Sequence, residues 1–384
     1  MTQDNNSGES SDSGDSQGSR FFDNRQKYLM FVNTCNEKRV TANRVTRELS
    51  EIQPKPPAAR IFDAGIGDGT VLAGLLRAMH CHFPTMPFYV VGKEISLEDV
   101  RLTLDKVPDR MMEHPATVLV LTNMHYSEAP WLTPKSTVNA ERMVWQEVAL
   151  KGTCSYDFEH QIAELQPFLA QNWQARPGKS GNPTYDRPVV LVMYRDDHKF
   201  LLDSEIPRQE SPRADYDLVI ASQPYRARAS AAFKAEKVIA PLSRALRSSG
   251  RLVGIHSYGQ DPGMDIVNRI WPDDDPFQTD RLSILDAVRK EMGPEAAHYD
   301  FVAGSDARSI FRYGMHILPN EISRTIGTST MFAAWNAAVY VAQIDDDRLE
   351  KATLDGSYIE ATREALKHHG GLWFNNESYV ISRR

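Results

Sequence analysis

Hydrophobic and polar positions change their period several times along the chain, and each change marks an element. The first twenty residues are Ser, Asp, Gly, Asn and Gln with almost no apolar side chains. Such a stretch cannot bury enough surface to offset its ordering entropy, so residues 1–20 read as a disordered tail. It has no basic start followed by an apolar run, which counts against a secretory signal. Over 25–51, apolar Tyr28, Leu29, Phe31, Val32, Val40, Val45 and Leu49 fall at helical spacing, and Pro54, Pro56 and Pro57 end the run. The spacing predicts an N-terminal helical segment over 21–57, which either covers a ligand cleft or packs on a sheet.

After the prolines, Arg60-Ile61-Phe62-Asp63-Ala64 reads as a short buried strand, 65–69 as a tight loop and 70–81 as a helix. A second strand at 88–91, a helix over 96–106 and a third strand at 116–121 follow. Two more strands fall at 217–221 and 250–256, with a helix over 230–247 between them that Gly250 ends. This alternation predicts a parallel sheet covered by helices. The interval between the third and fourth strands is longer than a βα unit needs. It predicts helices near 140–151 and 157–173, a Pro/Gly turn at 176–183, and a hairpin pairing 189–194 with 199–202. We read about 127–213 as an insertion on the ligand-binding edge, serving an acceptor pocket or dimerisation. Beyond it the pattern predicts a helix after 283, antiparallel strands around 310–317 and 333–344, a helix over 358–368 and a terminal strand over 372–382.

Composition narrows the function classes. Hydrophobic residues make up 41% and charged residues 25% of the 384, as expected of a soluble globular protein with a sizeable core. No run approaches the roughly 18 apolar residues of a membrane helix. A net charge of -7 argues against a nucleic-acid surface. Cys35, Cys81 and Cys154 are odd in number and scattered, which gives neither a disulfide framework nor metal-ligand spacing and suits a reducing cytoplasm. His80, Cys81 and His82 are adjacent and diverge, so no metal site is expected there. The acidic runs 273–275 and 345–347 read as solvated loops.

The stretch carrying chemistry is Ile61-Phe62-Asp63-Ala64-Gly65-Ile66-Gly67-Asp68-Gly69-Thr70. A strand delivers a carboxylate at its carboxyl end, and the chain turns through three glycines into a helix. The dinucleotide fingerprint needs a glycine at position 70, where this chain has Thr, and an acid before the loop would repel a pyrophosphate. An acid there suits an ammonium group instead. The stretch resembles motif I of class I S-adenosylmethionine-dependent methyltransferases, and further landmarks occur in that family's order. Glu94 ends the second strand, where the resemblance implies a ribose ligand, with Ile95 against adenine. Thr122-Asn123-Met124 ends the third strand, where the family often has an Asp on the adenine amino group; here Asn123 stands. Tyr216 to Tyr225 resembles the fourth strand and its loop, and Ser249 to His256 the fifth strand.

Ser222-Gln223-Pro224-Tyr225 resembles the (Asn/Asp/Ser)-Pro-Pro-(Tyr/Phe) loop of amino-methyltransferases, but Gln223 replaces the first proline. A turn with Tyr225 packing inward is the alternative reading. His125-Tyr126 and His256-Ser257-Tyr258 follow the third and fifth strands, where ligands bind in open α/β sheets. A histidine there suits a general base or an amine contact.

The resemblance implies an α/β, Rossmann-like, seven-stranded, mostly parallel sheet over 58–384, with the helical segment and insertion attached. It implies S-adenosyl-L-methionine as cofactor, held by Asp63, Gly65, Gly67, Gly69, Glu94, Ile95, Asn123, Met124 and Ser222, and no metal. Tyr225, His256 and Tyr258 are the catalytic candidates. The expected reaction is methyl transfer to N or O of a small-molecule acceptor in the cytoplasm, without nucleic acid or membrane as partner. The alternatives are an amino-methyltransferase of a nucleobase or protein side chain, and a non-catalytic ligand-binding module.

Overall fold

The computed structural model describes residues 26–178, 183–209, 211–323 and 325–384. The tail expected over 1–20 and the centre of the 176–183 turn lie outside them. The described residues divide into two compact units: one takes Glu37–Gly259, Pro276–Tyr313 and Asn375–Arg384, and the other takes the described residues up to Asn36, Gln260–Asp275 and Gly314–Phe374.

The larger unit is built on a sheet. Its strands are β1 (Ala59–Asp63), β2 (Phe88–Lys93), β3 (Thr117–Thr122), β4 (Val144–Leu150), β7 (Val189–Arg195), β8 (Tyr216–Ser222), β9 (Leu246–Ser257), β10 (Tyr299–Val302), β11 (Ile310–Gly314) and β12 (Trp373–Arg383). A short hairpin of β5 (Ala175–Pro177) and β6 (Pro183–Tyr185) stands apart. The sheet order is β10-β12-β9-β8-β1-β2-β3-β7-β4, with β11 paired to β12. The strands β3, β2, β1, β8 and β9 run parallel, and β12 lies antiparallel between β9 and β10. Both faces are covered, so the central strands are buried along their whole length, as in β1 and β3.

Alternate residues of each strand feed two cores. Phe62, Val91, Val120, Val192, Val219 and Leu252 pack with the helical stretch after β8 and the helix Arg281–Met292. Ile61, Val90, Leu119, Leu191, Leu218 and Val253 pack with the helix Thr70–His82 and with Val100, Leu104, Val107 and Met111 that follow β2. The helix Glu37–Thr46 joins the second side, with Val45 and Leu49 in the core and Glu48 ion-paired to Arg44 and Arg251, each at 2.8 Å. From Glu37 onward, then, the N-terminal segment packs on the sheet.

The insertion extends the sheet, and 189–194 does not form the hairpin expected with 199–202. β7 pairs antiparallel with β3, and β4 pairs parallel with β7. The chain at 199–202, expected as a strand, is a helical turn. The helix expected over 140–151 is mostly β4. Its apolar Val144, Trp145, Val148 and Ala149 fit helical spacing, yet the free edge of β7 supplies a ladder that no local signal announced.

In the smaller unit, the helix Thr328–Val341 occupies residues expected as a strand over 333–344. Ala333, Ala334, Ala337 and Ala338 are strong helix formers at i, i+4 spacing and are buried on its inner face. Trp335 packs 5.9 Å from Trp271 and 5.3 Å from Tyr358, ring centre to ring centre. The acidic run at 345–347 opens the helix Asp346–Asp355, where carboxylates favour the helix N-terminus. Among the described residues, no helix is long and apolar enough to cross a membrane.

Candidate active site

The strand order fixes where a ligand can sit. The chain winds from β1 through β2 to β3 with its helices on one face. It then returns to β8 and winds to β9 with its helix on the other face. The reversal opens a crevice between the carboxyl ends of β1 and β8, the usual ligand position in such sheets. The loops bordering it are 64–69 and 222–225, and Ala64 N–H donates to Ile220 O across it at 2.8 Å.

Asp63 ends β1 with 1% of its surface exposed. Its Oδ1 accepts from Gly65 N–H at 3.2 Å, while Oδ2 is buried without a hydrogen-bond partner. Burial pushes the carboxyl up to about 7, opposed by the Gly65 hydrogen bond and the Lys38 charge and reinforced by Glu94. Beyond it, Gly67 and Gly69 adopt positive φ of 51° and 78°. At Gly69 a Cβ would also lie 2.7 Å from Thr103 Oγ1, so only glycine fits. A Cβ on Gly65 would meet nothing nearer than Ser222 O at 4.0 Å. The backbone there is open toward the fourth-strand loop.

Glu94, just past β2, faces the loop. Its Oε2 accepts from Gly67 N–H at 3.0 Å, and its Oε1 from Ile95 and Ser96 N–H at 2.7 and 2.9 Å. The carboxylate thus braces the glycine turn and still keeps acceptor capacity on Oε2. Asp99 on the next helix is pushed up to about 7, by burial first and then by Glu94. Three carboxylates therefore crowd this side of the loop with the Lys38 charge nearby. A phosphate would be repelled here; a ligand carrying positive charge would relieve both the crowding and the unpartnered Oδ2. The chemistry of the donor set fits the ammonium and sulfonium of S-adenosylmethionine.

Other expected residues fall differently. Ile95 is half-buried against the first core. Ser222 is half-buried at the end of β8. Asn123 does not turn toward the crevice: its Nδ2 donates to Arg187 O at 3.0 Å and its Oδ1 accepts from Val189 N–H at 2.8 Å. The side chain pins the start of β7 to the end of β3, and both its ends are spent. Met124 is fully buried in the first core, so it lines no open wall. Tyr126 donates its hydroxyl to Pro224 O at 2.6 Å and lies under Lys93, whose Nζ is 4.8 Å from the ring centre. Burial holds the Lys93 ammonium below its ordinary value, offset in part by Glu94. Position 93 precedes an acid in sequence, which was the only available signal for it.

On the β8 side of the crevice, Gln223 takes a positive φ of 49°. Its Nε2 donates to Ser257 Oγ at 3.1 Å and to Asn376 Oδ1 at 3.3 Å. Tyr225 turns inward, its hydroxyl 3.3 Å from that of Tyr379. His256 on β9 stands opposite Glu377 on β12. Tyr225 and His256, with Gln223, Ser257, Lys234 and Thr279, line a small cleft at these strand ends. Tyr258 is half-buried beyond β9, its N–H bonded to Asn375 O at 2.8 Å, and does not line that cleft. A second, mainly apolar cleft, walled by Leu72, Leu76, Val107 and Met111 with Thr103, Lys106 and Arg110 at its sides, lies behind the glycine loop. No group of three or more metal-ligating side chains occurs among the described residues.

No protein-family model matches the chain, and no curated protein is significantly similar to it. Solved structures do align with it. A geranyl diphosphate methyltransferase, in complex with GPP and sinefungin, is 14% identical with TM-score 0.32, over 89% of this chain and 78% of its own. A sarcosine dimethylglycine methyltransferase from Galdieria sulphuraria is 9% identical with TM-score 0.32, over 90% and 84%. PKMT2 from Rickettsia typhi, in complex with AdoHcy, is 11% identical with TM-score 0.29, over 89% and 52%. By its strand order and its glycine loop, this chain has the Rossmann-like fold of class I S-adenosylmethionine-dependent methyltransferases.

Proposed function

We propose that the protein is an S-adenosylmethionine-dependent methyltransferase acting on N or O of a small-molecule acceptor. The observation that carries this reading is the buried, unpartnered Asp63 Oδ2 beside an open glycine turn and under Glu94. Asp63 would take the donor's ammonium group, Glu94 the ribose hydroxyls, and the backbone of Gly65, Gly67 and Gly69 the chain between them. When bound, the donor supplies a methyl group on a sulfonium, whose departure needs no acid. The residues of this chain then contribute position and dryness more than proton transfer. Tyr225, His256 and the Gln223 loop form the acceptor side.

An acceptor that is a nucleobase would need an aromatic face free to stack on it. Tyr225 is only 9% exposed and its hydroxyl meets Tyr379, which favours the small acceptor. Calorimetric titration with S-adenosylhomocysteine, beside NAD, tests the proposal. One-site binding that Glu94→Ala weakens at least tenfold, with NAD silent, is the expected result. No heat with S-adenosylhomocysteine overturns the proposal, and binding of NAD in its place means the acidic loop takes a dinucleotide.

A further inference from the structure

In this conformation the acid that would receive the donor is sealed. Asp63 is 1% exposed and its Oδ2 is buried without a hydrogen bond, although a Cβ on Gly65 beside it would have room. A group carrying an ammonium cannot reach that oxygen unless something over it moves. Tyr126 is what crosses there. It follows β3, and its hydroxyl donates to Pro224 O at 2.6 Å in the loop after β8. The sheet order places β2 and β1 between those two strands. The side chain therefore spans the carboxyl ends of β2 and β1, the strands that deliver Lys93, Glu94 and Asp63. Lys93 Nζ lies 4.8 Å from the centre of its ring. Burial, and then the charges of Glu94 and Asp63, push the Tyr126 hydroxyl above its ordinary value, which places it beside both acids.

The other segments around Asp63 are held by many contacts. The helix Glu37–Thr46, whose Lys38 also acts on Asp63, buries Thr41, Ala42 and Val45. The loop after β8 is tied to β9 and β12: Gln223 N–H donates to Ile255 O at 2.8 Å, and its amide reaches Ser257 and Asn376. The turn that carries Tyr126 is closed by Glu128 and Ala129 N–H, which donate to His125 O at 2.9 and 2.8 Å. Glu128 is held in turn by the Tyr185 hydroxyl and by Lys135 N–H, each at 2.9 Å. Between these pinned backbones, the Tyr126 side chain makes one hydrogen bond among the described residues and one contact with a cation. Breaking those two interactions is a small perturbation beside moving either backbone.

We infer that Tyr126 is a side-chain gate over the donor site: latched to Pro224 O it keeps the donor from Asp63, and swung off that carbonyl it admits the donor. The conformation described is the closed one. Only the open fraction of molecules binds the donor, so the latch weakens apparent affinity by the factor that fraction sets. The inference rests on the methyltransferase reading for the identity of the ligand. The latch itself belongs to the loops after β3 and β8 and can be tested with no ligand present.

The test compares the full chain with its Tyr126→Phe variant, which loses only the latching hydroxyl. Surface plasmon resonance with S-adenosylhomocysteine gives association and dissociation rates. Native-state hydrogen exchange of the Gly65 amide, held on Asp63 Oδ1, reads opening without ligand. The variant should bind about two- to tenfold more tightly, with the gain in association, and its Gly65 amide should exchange faster by a similar factor. A hydroxyl that only lined the donor site or stiffened the fold would, when removed, weaken binding or leave it unchanged. Unchanged or weaker binding by the variant, tighter binding through slower dissociation alone, or Gly65 exchange equal to wild type overturns the gate. Absence of S-adenosylhomocysteine binding in both proteins, with faster Gly65 exchange in the variant, overturns the methyltransferase reading and leaves the gate standing.

Discussion

Replacing Asp63 with Asn should make the protein more stable at alkaline pH while disabling it. In the folded chain the carboxyl is raised from 3.8 to about 7. Between those values the folded state holds a proton that the unfolded chain has already lost. Stability is therefore lost as pH rises from about 4 through 7, and the full penalty is present above 7. At about 1.36 kcal/mol per pKa unit, the penalty is about 4 kcal/mol at pH 8 and about 2 kcal/mol at pH 5. Asn keeps the Gly65 hydrogen bond through its own oxygen and adds an unpartnered amide, costing about 1–3 kcal/mol at either pH. The amide cost cancels when the two pH values are compared. Urea denaturation of Asp63→Asn against wild type should therefore favour the variant by about 2–3 kcal/mol more at pH 8 than at pH 5. Calorimetry on the same variant should show S-adenosylhomocysteine binding lost. An identical stability difference at both pH values would refute the burial of an unpaired carboxyl, and unchanged binding would refute its role.

The same carboxyl links affinity to pH. If the ligand's ammonium returns Asp63 to its ionised form, binding releases a proton, and S-adenosylhomocysteine affinity should rise about tenfold from pH 6 to 8 and then level; calorimetry in buffers of different ionisation enthalpy would detect the proton. Gly65→Ala should leave the denaturation midpoint within about 1 kcal/mol of wild type, because its Cβ has room, yet weaken ligand binding at least tenfold. Gly69→Ala, with φ at 78° and Thr103 at 2.7 Å, should lose about 2 kcal/mol or more of stability, read by the same denaturation curves. Asn123→Ala should cost about 2 kcal/mol and expose the β7 edge to limited proteolysis while leaving S-adenosylhomocysteine affinity unchanged; a large affinity loss would return the side chain to the adenine.

What the sequence determined by itself is the stretch whose geometry is local. Asp63 must end its strand and the glycines must turn, because strand, loop and helix follow one another within a few residues and each is marked by its own residues. Glu94 was legible for a related reason: a buried strand of known length ends one residue before it, and the resemblance gave it a task. The same local logic misled where apolar spacing fits two periods. Val144 to Ala149 became a strand because β7 offered a free edge, and Ala333 to Val341 became a helix because alanines without a ladder partner coil.

Only the tertiary structure decided which side chains meet across long stretches of chain. Asn123 reads as an adenine contact until β7 is seen to begin beside it and take both ends of its amide. Lys234, Arg281 and Glu377 are unremarkable surface-type residues in the sequence, from a helix after β8, a later helix and the last strand. They become a buried charge cluster because β12 inserts antiparallel beside β9 and sets Glu377 opposite His256. Burial, and with it the raised Asp63 carboxyl and the lowered Lys234 ammonium, is a property of what packs around a residue. Residue order along the chain carries that information only through the fold.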